Sequence, residues 1–253
     1  MPVDDSSAPA PRSLRERRRT TAVREILAAA EQQIDQQGPA ALSLRAVARG
    51  LGMTVQALYH YFPNRDALVT ALIVKEYEDL ADAVQAALDG APDPADLPRL
   101  VVAAEGYRRW AVTHPERFQL LFGTPLRGYA APAEGDTTRA VRRMATLFHR
   151  ELFHGFSRDR LAAADASALS AGLLAHLGDL PPVGPGELPP AAIALFLGAW
   201  GRLHGMVVLE VFGHTSFVGD HQAEVFRVTM RGMLADIHRR IPADGAAADA
   251  AGP

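Results

Sequence analysis

Hydrophobic positions at helical spacing dominate the chain, and the clearest pattern lies in residues 43–62. Apolar side chains recur there at i, i+3, i+4 and i+7, which predicts one buried face on a short helix: Leu44, Val47, Ala48 and Leu51. Ser43 stands before this helix as its N-cap, with a hydroxyl able to accept a first-turn N–H. Gly52 can adopt the left-handed conformation that ends such a helix.

A second short helix is expected after this turn. Thr54 is its expected cap, and Pro63 prevents its continuation. Its expected inward residues are Leu58, Tyr59 and Phe62. Two short helices joined by a glycine-containing turn form a helix-turn-helix, whose second helix enters the DNA major groove. An ordinary helical hairpin of an all-α protein is the alternative interpretation of the same pattern.

The other side chains of the second helix are not needed by the apolar face, so we expect them to point outward: Val55, Gln56, Ala57, His60 and Tyr61. Gln56 can bond bidentately to adenine, and Val55 and Ala57 can contact a thymine methyl group. His60 and Tyr61 can donate to phosphates. Tyr59 is ambiguous, because its ring can pack inward while its hydroxyl reaches out.

Helical periodicity continues on both sides of this motif. Before it, a capping box at Ser13–Glu16 is able to open a first helix that carries Ile26 and Ile34. After it, Asn64 caps a long helix that runs to a break near residues 90–94. No strand-like alternation appears beyond this break, and further helices are predicted at residues 97–113, 115–122, 136–155, 158–177, 190–212 and 219–240. The pattern therefore predicts an all-α fold.

Residues 26–73 resemble the N-terminal domain of TetR-family transcriptional regulators. The features that match the family pattern lie in register along the segment: Ile26–Leu27 with Ala30, Gly38, Ser43, Val47–Ala48, Leu51–Gly52, Leu58–Tyr59 with Phe62, and Asn64–Arg65 with Leu68. The resemblance implies a homodimeric regulator that binds a palindromic DNA operator, usually as a repressor released by a small-molecule effector. It also implies that Arg65 contacts a phosphate.

We therefore expect base-edge contacts from Val55, Gln56 and Ala57. Phosphate contacts are expected from the remaining site residues: Ser43, Thr54, Tyr59, His60, Tyr61 and Arg65. The expected organisation is a helix-turn-helix DNA-binding domain at residues 13–65, a connecting helix at 66–90, and a C-terminal helical domain for regulation and dimerisation at 91–241. Residues 1–12 and 242–253 are expected to be disordered tails because of their low-complexity composition.

Two patches in the C-terminal part, residues 113–125 and 200–214, resemble the C-terminal domain that some TetR-type regulators share, with its Trp, His and Gly spacing. Gly198, Gly201 and Gly205 form a small-residue track beside Trp200 and His204. The last two helices carry apolar residues on more than one side, which predicts a four-helix interface between two subunits: Leu195, Phe196, Val207, Val208, Val211, Phe212, Val225, Phe226, Val228, Met230, Met233, Leu234 and Ile237. Internal burial is the alternative explanation.

An effector pocket is expected between the helices after Leu97, although core packing is the more ordinary role of its candidate residues: Tyr107, Trp110, Phe118, Leu121, Phe122, Met144, Phe148, Leu152, His176 and His204. An enzyme is a competing hypothesis because the chain has nine histidines. Their spacing gives no metal motif, and no nucleotide-binding or nucleophile motif is present. We therefore predict no catalytic residues, metal or cofactor. An architectural DNA binder without an effector is a third hypothesis.

Charge is distributed unevenly along the chain. Residues 12–75 carry ten basic and five acidic side chains in a protein whose net charge is −3, so the rest of the chain is acidic. A basic N-terminal quarter is expected of a domain that contacts phosphates. The chain has no cysteine, no secretory signal pattern and no apolar run long enough to span a bilayer. We therefore expect a cytoplasmic protein without a membrane partner.

Overall fold

The computed structural model describes residues 13–92, 96–124, 126, 129, 135–181 and 187–243, which form helices and turns with no strand among them. The predicted all-α fold class is confirmed. The α-helices are α1 (Leu14–Gln37), α2 (Leu44–Gly50), α3 (Val55–Tyr59), α4 (Arg65–Asp89), α5 (Arg99–Thr113), α6 (Pro115–Phe122), α7 (Asp136–Leu152), α8 (Arg158–Ala162), α9 (Ala171–Gly178), α10 (Pro190–Val211) and α11 (Gln222–Arg239). The tail at 1–12, residues 244–253 of the other tail, and parts of the loops at 123–135 and 178–189 lie outside the described residues.

Two hydrophobic cores organise the fold. The N-terminal core is built from α1, α2, α3 and the first half of α4, and its fully buried side chains include Ile26, Leu58 and Leu68. The C-terminal core begins at Leu80 and extends to α11. Burying a side chain of this size contributes about 1.5–3 kcal/mol. Helix α4 therefore supplies buried residues to both cores and connects them.

Helix α6 also belongs to both cores. Leu120 packs in the N-terminal core, whereas Phe118 is fully buried in the C-terminal core and Phe122 packs against it. An eight-residue helix thus contacts the helix-turn-helix domain on one side and the C-terminal helices on the other.

The predicted caps of the N-terminal helices are confirmed, with one exception. The Ser13 side chain accepts from the Glu16 N–H, and the Glu16 carboxylate accepts from the Ser13 N–H. The Thr54 hydroxyl accepts from the Ala57 N–H, as expected. Asn64 caps α4 in the same way. Ser43 stands at the N-cap of α2, but its hydroxyl makes no capping hydrogen bond.

Several predicted helix boundaries were wrong. The single helix predicted at residues 158–177 is two helices, α8 and α9, because Ser170 caps α9 and Asp165 bonds to Ser167 and to the distant Arg240 backbone. Helix α7 ends before Gly155, whose φ of 82° suits a turn. Helix α11 begins after a 3-10 turn that contains Gly219, at a φ of 61°.

Helix α10 contributes eight buried residues to the C-terminal domain. It is also the one helix among the described residues whose length and apolar composition would suffice to cross a membrane, a test that core helices pass as well. The helix predicted at residues 190–212 is therefore confirmed, and its end differs from the prediction by one residue.

The surface of the last two helices differs from the predicted set. Seven of the predicted residues are buried inside the chain: Leu195, Phe196, Val207, Phe226, Met230, Met233 and Ile237. Phe212, Val225 and Val228 are exposed, and Leu197 and Leu209 join them although the sequence pattern did not single them out. A side chain added at Gly198, Gly201 or Gly205 would meet open space.

Candidate nucleic-acid interface

The helix-turn-helix is formed by α2, a turn through Gly52 and α3. Gly52 has a φ of 63°, the left-handed conformation expected at the end of the first helix. Helix α3 starts at its Thr54 cap and ends at Tyr59, three residues before the predicted end at Phe62. The chain turns through Tyr61 and Phe62, whose N–H groups both donate to the Leu58 carbonyl.

The exposed surface of α3 and the following turn carries Gln56, Tyr59 and His60. The predicted inward packing of the Tyr59 ring is wrong, since 41% of this residue is exposed. Val55 instead packs partly against the N-terminal core beside Leu58. Positions 55, 58 and 62 form the inward stripe, so Tyr59 lies at its edge.

The other predicted site residues lie around this surface. Thr54 is exposed, and Ser43, Ala57 and Tyr61 are half-buried. Arg65 is half-buried at the start of α4, where its Nε donates to the Leu42 carbonyl over 3.4 Å. This contact holds the Arg65 side chain next to the N-terminus of α2.

Two polar residues that sequence reasoning did not assign hold the motif in place. The buried Gln33 amide donates to the Ala41 carbonyl over 2.8 Å and accepts from the Ser43 N–H. Arg19 donates to the His60 carbonyl over 3.2 Å, and its guanidinium lies over the Tyr61 ring. No local sequence signal indicates that Arg19 contacts a residue 41 positions away.

Basic side chains surround the motif. The sequence from Arg15 to Arg19 allows either a helix or a flexible arm. Arg15, Arg17 and Arg18 are exposed on the first turns of α1, so the segment is a helix. Arg45 and Arg49 are exposed on α2. None of these five guanidinium groups forms an ion pair with another described residue. They are therefore available to an external polyanion.

An ion-pair network joins the helix-turn-helix domain to α6. The Arg117 guanidinium binds the Asp35 carboxylate through two hydrogen bonds of 2.7 and 2.9 Å. It also lies 3.8 Å from Glu31 and 4.0 Å from Glu76, the latter fully buried on α4. The Asp35 pKa is lowered, chiefly by the hydrogen bond from Arg117.

Three carboxylates of this network, from Glu31, Glu76 and Asp79, lie within 4.8 Å of one another. The Lys75 ammonium lies 2.5 Å from Glu31 and 2.6 Å from Asp79, so a protein cation already pairs with two of them. Burial and the proximity of Glu31 raise the pKa of Glu76 to about 8. Glu76 therefore holds its proton at neutral pH.

The candidate effector residues of the C-terminal domain separate into two groups. Phe122 and Met144 line a cavity together with side chains that were not among the candidates, notably Tyr77 and Trp200. The others do not line it. Most of these lie in the C-terminal core or pack against it: Tyr107, Trp110, Phe118, Leu121, Phe148 and Leu152. His176 is exposed on α9.

His204 lies behind the cavity wall. Its Nδ1 is hydrogen-bonded to the Tyr107 hydroxyl over 2.8 Å, and its ring stacks on Trp200 at 11°. Burial lowers the pKa of His204, so the imidazole is neutral at neutral pH.

The described residues form helices and turns and expose a helix-turn-helix. These features are typical of the helix-turn-helix class of DNA-binding proteins. The family model described as "Bacterial regulatory proteins, tetR family" matches residues 26–72, and the model described as "Tetracyclin repressor-like, C-terminal domain" matches residues 100–233. The chain therefore belongs to the TetR family of transcriptional regulators. The members of this family are not enzymes, which decides against the enzyme hypothesis.

Individual proteins agree with this assignment. The chain is 41% identical over 123 residues to the HTH-type transcriptional regulator Rv1816 of Mycobacterium tuberculosis, an alignment that covers 49% of this chain and 53% of Rv1816. The chain thus spans about half the length of the curated relatives that it matches. The crystal structure of the regulatory protein SCO4313 has 33% identity and a TM-score of 0.68, covering 89% of this chain and 100% of that one.

A more distant structure shares the fold alone. It is a TetR variant from Acinetobacter baumannii AYE in complex with minocycline, with 18% identity and a TM-score of 0.50. The match covers 86% of this chain and 97% of that one.

Proposed function

We propose that this chain is a cytoplasmic homodimeric repressor that binds a palindromic operator and is released by a small-molecule effector. The observation that carries the proposal is the exposed polar surface of α3, where Gln56, Tyr59 and His60 have no structural role in the N-terminal core. Side chains that do not stabilise the fold are free to contact DNA.

In this proposal Gln56 bonds to a base edge, and Val55 and Ala57 contact neighbouring thymine methyl groups through their exposed atoms. Phosphate contacts come from the residues around them: Ser43, Thr54, Tyr59, His60, Tyr61 and Arg65. The free hydroxyl of Ser43 supports its role, because it is not used as a cap. The DNA-binding domain is assigned to residues 13–65, the connecting helix to 66–90 and the regulatory domain to 91–241.

Dimerisation through α10 and α11 is supported by their exposed apolar side chains. Leu197 and Val228 are each 64% exposed in the single chain. The open space beside Gly198 and Gly201 lets a partner helix approach closely. A two-fold dimer would place two α3 helices in successive major grooves, about 34–36 Å apart, which requires a palindromic operator.

Release by an effector requires that the effector bind more tightly to one spacing of the two α3 helices than to another. Helices α4 and α6 connect the C-terminal domain to the helix-turn-helix, so a shift of either one alters that spacing. The minocycline complex of the Acinetobacter protein supports effector binding by this fold.

The proposal is tested by footprinting the purified protein on the DNA upstream of its own gene, at low and at moderate ionic strength. We expect protection of a palindromic site, in two half-sites one helical turn apart, that weakens as salt rises. A protein that stays monomeric and protects no duplex at low salt would contradict the proposal.

A further inference from the structure

A cavity of about 180 Å³ lies in the C-terminal domain between α4, α6, α7 and α10. Four of its seven lining side chains are aromatic, namely Tyr77, Phe122, Phe196 and Trp200. The other three belong to α7 and are aliphatic or a thioether. Val141 is 41% exposed and marks the mouth of the cavity, whereas Met144 is buried.

The lining has no group that could balance a ligand charge. Two lining side chains carry a polar atom, the Tyr77 hydroxyl and the Trp200 indole N–H. Burial raises the pKa of Tyr77 to about 12, so the phenol is neutral. Behind the wall, His204 is neutral as well. An ionised ligand group would lose its hydration here without gaining a partner, which is costly.

The size of the cavity limits the ligand to a small molecule. An apolar cavity of about 150 Å³ accommodates benzene. The cavity of this chain is slightly larger and is open at Val141, so a single ring with one or two small substituents fits it.

The rings of the lining favour a flat partner. Tyr77 and Phe122 meet edge to face, at 90° and 5.7 Å between centroids. Trp200 is held in place from behind by His204 and by Phe148, whose ring centroid lies 5.6 Å away. Fixed aromatic faces and edges bind another aromatic ring through offset or edge-to-face contacts.

We propose that this cavity binds a neutral aromatic molecule of one ring, held by aromatic and apolar contacts and at most two hydrogen bonds. The proposal rests on the proposed function in one respect, namely that this molecule acts as the effector. A ligand in this cavity contacts Phe122, the last residue of α6. Arg117 and Leu120 of the same helix contact the helix-turn-helix domain, so α6 connects the ligand to the DNA-binding surface.

The test compares three probes of similar size on the full-length chain: p-cresol, benzoate and benzylammonium. Isothermal titration calorimetry and thermal melts measure their binding at neutral pH. We expect saturable binding and a raised melting temperature with p-cresol. Benzoate and benzylammonium should bind at least about tenfold more weakly, because the cavity cannot solvate their charge.

Variants of α7 identify the cavity as the binding site. Ala145→Leu fills the cavity. Val141→Phe narrows its mouth, and the position can accommodate a larger side chain because Val141 is 41% exposed. Each should lower the p-cresol affinity at least about tenfold. Thr146→Leu is the matched control, since Thr146 is the exposed neighbour on the same helix, and it should bind p-cresol like the parent chain.

Three outcomes would overturn the proposal: no binding of p-cresol, equal or tighter binding of either ion, or p-cresol binding that both filling variants leave unchanged. Tighter binding of benzylammonium would instead indicate a cation held against the aromatic faces. Operator binding is measured in the same samples by fluorescence anisotropy. Binding of p-cresol without any operator binding would contradict the proposed function and leave the ligand class standing. Operator binding without p-cresol binding would contradict the ligand class and leave the proposed function standing.

Discussion

The buried carboxyl of Glu76 provides a quantitative test of the network between the helix-turn-helix domain and α6. Its pKa is raised from an ordinary value of 4.5 to about 8, first by burial and then by Glu31. The cations Arg117 and Lys75 oppose this rise. The folded chain therefore binds one more proton than the unfolded chain between these two values.

Because the folded chain binds the extra proton, the free energy of unfolding decreases as pH rises. Stability is greatest below the unfolded pKa of 4.5 and is lost as pH rises through the folded pKa of about 8. The loss is about 1.4 kcal/mol per pH unit within this range, so the free energy of unfolding should fall by roughly 2 kcal/mol between about pH 6.5 and pH 8.5. Glu76→Gln keeps the shape of the side chain but cannot ionise, and it should remove most of this fall.

Four other groups with shifted pKa values act outside this interval. Burial lowers the pKa of His149 and of His204, so their effect appears below their ordinary value of 6.5. The Asp35 pKa is lowered below 3.8, and the Lys75 pKa is raised above 10.5. Urea denaturation measures the effect, at one fixed protein concentration because the stability of the proposed dimer would depend on concentration. Glu76→Asp keeps a buried carboxyl and should keep the fall in unfolding free energy. If the unfolding free energies of the parent chain and of Glu76→Gln changed in parallel with pH, the reasoning would be refuted.

Three further predictions concern other parts of the molecule. Gln56→Ala should relax operator specificity at one base pair by about 1–3 kcal/mol, whereas Arg65→Ala should weaken all sequences alike and flatten the salt dependence; equal loss of specificity in both would contradict the assignment. Val228→Glu should convert the proposed dimer to monomers in sedimentation experiments, because it would bury an unpaired charge in the proposed interface, while Ala175→Glu on exposed α9 should not. Gly106→Ala should cost about 1–3 kcal/mol of unfolding free energy, since its new Cβ would lie 2.9 Å from the Ala87 Cβ and 3.2 Å from the Val84 backbone. Gly172→Ala meets open space and should be neutral or stabilising.

Features fixed by neighbours in sequence could be predicted. The caps at Ser13, Thr54 and Asn64 involve groups three residues apart, and each is found as predicted. The left-handed Gly52 is also local, because the turn between the two short helices requires it. The apolar stripe of α4 could be predicted for the same reason, since 25 residues give the helical period enough repeats.

Predictions failed where the element was short or its partners were distant. Helix α3 has five residues, fewer than two turns, so the sequence could not decide whether Val55 or Tyr59 faces the core. The break between α8 and α9 depends on Asp165, whose N–H donates to the Arg240 carbonyl near the other end of the domain. Helical periodicity carries no information about such a long-range contact.

The same limit explains why the junction of the two domains was not predicted. Arg117 and Asp35 are 82 residues apart, and each is an ordinary charged residue on its own helix. Leu120 is buried in a core whose other buried members all precede residue 73, and its hydrophobicity alone does not indicate which core it joins. Since α4 and α6 are shared by both cores, the helix-turn-helix is positioned by the C-terminal domain as well as by its own apolar face. A chain that contained residues 13–65 alone would therefore retain the reading surface but lose Leu68, Leu72 and Leu120, and with them the packing that fixes its orientation.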